Sequence, residues 1–242
     1  MGEYYEYNLL EELFPINRSI TGNGVRQTLK IIKRELPDLL IHEVPSGTKC
    51  FDWTIPNEWN VIDAYIIDPN GNKIVDWKEN NLHLVGYSIP VNRKINLREL
   101  NKRLYSLPEN PKAIPYVTSY YTDNWGFCLS QEQRDSLIEG EYLVKIDSEL
   151  KKGSLSYCEL FIPGQSEKEI FFSSYICHPS MANNELSGPV VLTSLVKKLL
   201  KVRNNLYSYR IIFVPETIGA ICYLSRNLPK MRKNIIAGFN LS

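Results

Sequence analysis

Glu169-Ile170-Phe171-Phe172-Ser173-Ser174-Tyr175-Ile176-Cys177 is a run of apolar and β-prone residues of strand length, and it ends on His178. A helical pattern follows at 189–201, then a strand at 209–215, a helix at 218–226 and a strand at 235–241. This β-α-β-α-β alternation predicts an α/β fold: a mainly parallel sheet whose right-handed crossovers lay helices on its faces.

In open parallel sheets the carboxyl ends of the strands carry the binding crevice, because loops diverge there and helix N-termini aim amides into it. His178 follows the first strand directly, and Glu216 follows Arg210-Ile211-Ile212-Phe213-Val214-Pro215 directly. If these strands are neighbours, the two side chains face one small volume. Between them lies Met181-Ala182-Asn183-Asn184-Glu185-Leu186-Ser187-Gly188-Pro189, where Ser187 is placed to cap the next helix. This loop can bring Asn184 or Glu185 towards His178, giving the mixed nitrogen and oxygen ligation that zinc accepts. His178, Asn184 and Glu185 are therefore the candidate metal residues. Glu216 is the candidate catalytic base, acting on a water that the metal polarises.

Working back towards the N-terminus, apolar residues recur at helical spacing in Leu9, Leu10, Leu13 and again in Val25, Leu29, Ile32, Leu36. They predict two helices around Ser19-Ile20-Thr21-Gly22-Asn23-Gly24. Beyond Pro37 short β-prone runs (50–55, 61–67, 82–88, 116–121) alternate with Pro, Gly and Asn clusters. Asp68-Pro69-Asn70-Gly71 reads as a hairpin turn, and Asn96 and Ser130 read as N-caps of two short helices. The expected organisation is a helical part at 1–40, an inserted β-rich domain at 41–150 and the α/β core at 151–242.

With 28 basic and 27 acidic residues, no bulk electrostatic argument favours nucleic acid or an anionic membrane as partner. A 43% hydrophobic content over 242 residues supplies a sizeable core. Cys50, Cys128, Cys158, Cys177 and Cys222 match neither a disulfide framework nor a metal knuckle, so a reducing cytoplasm is the expected location. No apolar run is long enough for a membrane span, and Met1-Gly2-Glu3-Tyr4-Tyr5 does not start an export signal.

Several stretches resemble the bacterial aminopeptidase-like proteins of the zinc exopeptidase superfamily. They are Phe14-Pro15-Ile16-Asn17-Arg18-Ser19-Ile20-Thr21-Gly22, Pro45-Ser46-Gly47-Thr48, Phe51-Asp52-Trp53, Ile114-Pro115-Tyr116-Val117-Thr118-Ser119-Tyr120-Tyr121, and Cys177-His178-Pro179-Ser180 running on through Gly188. The resemblance implies a metallopeptidase-like domain, incomplete in this chain, that carries an inserted β-rich domain. In the wider superfamily a His after one strand, an Asp in an Asp-Asn-Ala-Ser-Gly-like loop and a Glu-Glu pair after the next strand build a two-zinc site. By that resemblance His178 matches the first ligand, Asn184 the bridging position, Glu216 the general base and Thr217 the position that would hold a second metal. An amide offers one neutral oxygen where a bridging carboxylate offers two charged ones, so one zinc is expected rather than two. The usual His-X-Asp is missing too: Pro179 and Ser180 follow His178, and another group has to orient the imidazole. A further aspartate after the third strand and a later histidine have no counterpart before Ser242, so the reading expects a sequence that stops part-way through the domain.

Plainer readings stand beside these. Glu216 also suits the start of the following helix through its dipole, and Asn184 and Glu185 also suit loop structuring. Cys177 reads as core, His42 and His83 lack any comparable context, and Trp53, Trp59, Trp77 and Trp125 read as β-domain core rather than a groove. The functional expectation is a zinc-dependent aminopeptidase-like hydrolase of small peptide or related amide substrates. The alternative is a catalytically impaired relative that binds a peptide, glycan or partner protein.

Overall fold

The computed structural model describes residues 4–242. They form two compact units: one runs up to Glu58 and resumes at Lys152–Ser242, and the other is Trp59–Lys151.

The first unit is built on a five-stranded sheet in the spatial order Leu40–Pro45, Ser154–Ile162, Tyr207–Val214, Ser166–Tyr175, Ile235–Leu241. Ser166–Tyr175 runs parallel to both of its neighbours, while Ser154–Ile162 is antiparallel to both of its own. The sheet is therefore mixed. Leu40–Pro45, expected within a β-rich insert, forms an edge of this sheet. It is held there because Val44 is buried and Ile41 packs into the core.

Helices Asn23–Glu35 and Ser187–Leu199 cover one face of the sheet, burying Val25, Leu29, Ile32, Leu192 and Val196 against Cys158, Leu160, Ile211 and Phe213. Their apolar residues recur at helical spacing, which is what puts them on one stripe. Helix Tyr5–Leu13 adds a smaller cluster of Leu9, Leu13, Leu186 and Val190. Helix Ile218–Asn234 takes the opposite face, with Tyr223 stacked on Phe171 at 6.3 Å and edge-on to Tyr157 at 5.7 Å. It runs past the expected end at 226 and contains Pro229. On this face Arg210 forks onto Glu169 and also meets Glu159, and Tyr223 donates to Glu159 at 2.8 Å. An arginine buried to 2% exposure is tolerable only with such planar, charge-assisted partners.

In the second unit Glu58–Ile67 leads through the Asp68–Gly71 turn into Lys73–Asp76, with Gly71 at φ 87°, as an Asn-Gly turn requires. Glu141–Lys151 and Val91–Asn96 complete a four-stranded sheet. Asn96 caps its helix through Glu99 N at 2.9 Å, and Ser130 with Gln133 forms a reciprocal capping box. The runs at 82–88 and 116–121 contribute only isolated bridges, Leu84 to Phe127 and Gly86 to Thr118. Trp59 and Trp125 are buried core residues, and Trp59 Nε1 donates to the Ser88 carbonyl at 3.0 Å.

Candidate functional site

Tyr175 pairs with Val214 across the parallel ladder, so the residues that follow these two strands emerge side by side at one end of the sheet. His178 and Glu216 meet there, with Nε2 of the imidazole 3.0 Å from Oε2 of the carboxylate. Glu216 is half exposed and His178 is 8% exposed, so the pair sits where the interior opens to solvent. Thr217 takes the N-cap position of helix Ile218–Asn234 and makes no side-chain cap hydrogen bond.

The loop from Met181 carries the other two candidates, one exposed and one buried. Asn184 is exposed, and its Oδ1 accepts from Tyr175 Oη at 2.8 Å. The Tyr175 ring lies edge-on to the imidazole at 5.4 Å. Glu185 is fully buried, with Oε2 3.3 Å from Nδ1 of His178 and Oε1 3.5 Å from Nε of Arg18. Its backbone is at φ 103°, ψ −74°, a region costing a non-glycine residue about 1–3 kcal/mol. The carboxylate on this backbone points into the interior, against Arg18. Ser187, expected as a helix cap, instead donates to the Asn183 carbonyl and tightens this loop.

Arg18 closes the inner wall. Its Nε donates to the His178 carbonyl at 3.0 Å and its Nη1 to the Leu13 carbonyl at 2.6 Å, so the guanidinium is fixed in the interior. Burial pulls the arginine below its ordinary value, against the pull of Glu185. Burial likewise lifts the Glu185 carboxyl to about 7, although Arg18 and the amides of His178 and Cys177 draw it down. His178 is lowered, by burial first, with Glu216 opposing. Cys177 is fully buried, its thiol pushed well up by burial and then by Glu185, and its Sγ accepts from the Glu216 amide at 3.2 Å.

The ligand atoms of Cys177, His178 and Glu185 lie within 4.8 Å of one another, which makes them a geometric metal candidate. Arg18 opposes it. A dication lodged about 4 Å from a fixed guanidinium meets on the order of 4 kcal/mol of repulsion per unit charge at an effective dielectric of about 20. On the solvent-facing side of the imidazole Nε2 looks towards the Glu216 carboxylate, and among the described residues no ion pair places a cation there. An imidazole nitrogen and an amide oxygen are donor types that zinc accepts, so His178 and Asn184 fit as residues that would hold the metal, with the Glu216 carboxylate beside them.

Arg18 and Tyr175 are the site residues that the sequence reading missed. Arg18 lay in the Phe14 to Gly22 stretch, where a charged residue among Ile16 and Ile20 was the available signal. His42 and His83 do structural work: His42 stacks on Tyr157 at 4.9 Å, and His83 Nδ1 lies 2.7 Å from the Cys128 carbonyl. Thr217 is exposed, with φ 55°.

The family model described as "Domain of unknown function (DUF4910)" matches residues 7–242. A Clostridium acetobutylicum protein named for polysaccharide biosynthesis and an aminopeptidase-like domain is 54% identical over 232 residues, 96% of this chain and 53% of that protein. A crystal structure from the same organism, named as a peptidase, superposes with a TM-score of 0.94 at 54% identity, covering 97% of this chain and 55% of that one. A zinc aminopeptidase from Bacillus subtilis superposes at 0.64 with 12% identity, covering 98% of this chain and 67% of that one. An M28 peptidase precursor from Shewanella amazonensis also reaches 0.64, at 10% identity, covering 96% and 69%. The chain spans about half the length of the curated relative it matches. No helix among the described residues is long and apolar enough to cross a membrane. The chain belongs to the DUF4910 family, and its fold is shared with zinc aminopeptidases and M28 peptidases.

Proposed function

We propose that this chain carries part of the centre of a zinc-dependent aminopeptidase-like hydrolase of peptide or related amide bonds. The observation that carries the reading is the 3.0 Å approach of His178 Nε2 to Glu216 Oε2 at the ends of two adjacent parallel strands. His178 would hold one zinc through Nε2 with Asn184 offering an amide oxygen, and Glu216 would stand beside the metal as the base rather than as a ligand. When bound, the metal supplies Lewis acidity towards an amide carbonyl and water.

The chain's own residues do the rest. Glu216, half exposed, takes a proton at its carboxylate and returns it to the leaving amine. Tyr175 holds the Asn184 amide in place through its hydroxyl. A cavity of about 260 Å³ beside Glu216, lined by Phe171, Val214, Tyr223 and Leu224, offers room for a small apolar substrate group. In this reading 59–151 is an inserted domain and the protein works in the cytoplasm on small peptide or amide substrates, without nucleic acid or membrane. Measuring zinc content and amide hydrolysis of the full-length protein tests it: about one zinc per chain is expected, and zinc-free protein with undiminished hydrolysis rules it out.

A second reading has its own support. Asn184 and Thr217 stand where the resemblance calls for carboxylates, and the C. acetobutylicum relative is named for polysaccharide biosynthesis. A non-catalytic centre that binds a peptide, glycan or partner protein would share this geometry. Calorimetric binding of glycan or peptide probes, with no turnover of any amide, selects it.

A further inference from the structure

We propose that Glu185, backed by Arg18, is a positioning residue that holds the imidazole of His178 from its Nδ1 side and does not itself ligate a metal. The assignment deepens the hydrolase reading, since it rests on His178 offering Nε2 to the zinc.

The two ring nitrogens of His178 face different surroundings. Nε2 looks outward to Glu216, whose side chain is 52% exposed, whereas Nδ1 looks inward to Glu185, whose side chain is 0% exposed. One imidazole can give only one nitrogen to a given metal, and the other then carries a proton that needs an acceptor. Oε2 of the buried Glu185 carboxylate lies 3.3 Å from Nδ1, an ion-pair distance at which a small turn of ring or carboxylate makes it that acceptor, and an interaction there is screened far less than one with a half-exposed group.

Arg18 decides against Glu185 as a ligand. The guanidinium is anchored by the carbonyls of His178 and Leu13, and it stays beside Oε1 of Glu185 whatever occupies the outer site. Arg18 compensates the carboxylate charge and at the same time repels a dication from it. The same Arg18 Nε donates to the backbone of His178, so one residue braces both the histidine's main chain and the carboxylate that steers its ring. The strained backbone at Glu185, φ 103°, is a further sign that the inward direction is imposed by the fold. Orienting carboxylates of this kind are the usual companions of metal-bound imidazoles, and here Pro179 and Ser180 leave the nearer positions without one.

Nitrogen spectra of the zinc-loaded protein, with isotope-labelled histidine and about pH 8 to keep carboxyl and imidazole groups deprotonated, test the assignment. His178 is expected to carry its proton on Nδ1 with Nε2 ligated; ligation through Nδ1 overturns the proposal. In chelator competition Glu185→Gln is expected to weaken zinc binding roughly 10- to 100-fold without changing the zinc bound at saturation. Unchanged affinity, or a lower saturating stoichiometry, overturns it. Should Glu185→Gln fail to fold, the wild-type spectrum decides by itself. Should the wild type take up no zinc, the hydrolase reading falls separately, and the zinc-free spectrum at the same pH still scores the pairing. A proton on Nδ1 there supports it, and a proton on Nε2 overturns it.

Discussion

Nε2 of His178 lies 3.0 Å from Oε2 of Glu216, across 38 positions of sequence, because parallel pairing of Tyr175 with Val214 brings the two strand ends level. The meeting of the two side chains therefore follows from the sheet register.

Glu216→Gln keeps the size of the side chain and removes its capacity to take a proton. Zinc content, read by elemental analysis, is expected to stay near the wild-type level. Amide hydrolysis, read by mass spectrometry of cleaved peptides, is expected to fall by about 10²–10⁴-fold. A variant that hydrolyses at the wild-type rate removes Glu216 from the mechanism.

Arg210 is the inner partner of Glu169, with Nη2 2.9 Å from Oε1, and both are buried. Arg210→Ala leaves Glu169 charged in the interior and is expected to cost about 3–5 kcal/mol of unfolding free energy in urea titrations. A loss below about 1 kcal/mol, the range of exposed pairs, would mean that the pair is hydrated in solution.

Two buried carboxyls tilt the pH profile of the metal-free protein in opposite directions. Burial lifts Glu185 to about 7 when folded, above the roughly 4.3 of an unfolded glutamate, so stability is lost as pH rises between these values. For Glu169 burial also pushes upward, but the hydrogen bonds from Arg210 and Asn234 outweigh it and hold the carboxyl below its ordinary value. Its contribution is present above the unfolded value, roughly 4.3, and is lost as pH falls through the folded one. Urea titrations across pH should show both limbs, with Glu185→Gln flattening the neutral limb and Glu169→Gln the acid one.

Gly24 has no room for a side chain: a Cβ there would fall 1.8 Å from the Asn17 carbonyl oxygen. Gly24→Ala must push the segment that carries Arg18 away from helix Asn23–Glu35. The expected cost is about 1–3 kcal/mol of stability, as for overpacked cores, accompanied by weaker zinc binding. Wild-type stability and zinc affinity in this variant would show that the Arg18 segment is not held by this contact.

Much of the centre was legible along the chain. His178 and Glu216 each stand just after a β-prone run rich in apolar residues, and a strand end is a local feature. The partners of His178 were harder to read. Asn184 and Glu185 are neighbours in one polar loop, yet one is exposed under Tyr175 and the other is fully buried against Arg18. No periodicity separates them, because an unusual backbone angle at Glu185 makes the difference. Leu40–Pro45 misled for a related reason: its residues have β texture, and texture does not say which sheet a strand joins.

Apolar spacing alone was enough to specify the alternating strands and helices from Ile170 onward, though not the strand Ser154–Ile162, and to place an imidazole and a carboxylate close after two strands, since these depend on residues close together in the chain. The mixed sheet, the burial of Arg18 against a histidine carbonyl 160 positions away, and the choice of which carboxylate faces which ring nitrogen came only with folding. These depend on desolvation and charge pairing between segments remote in sequence, quantities that exist only once the segments are packed together.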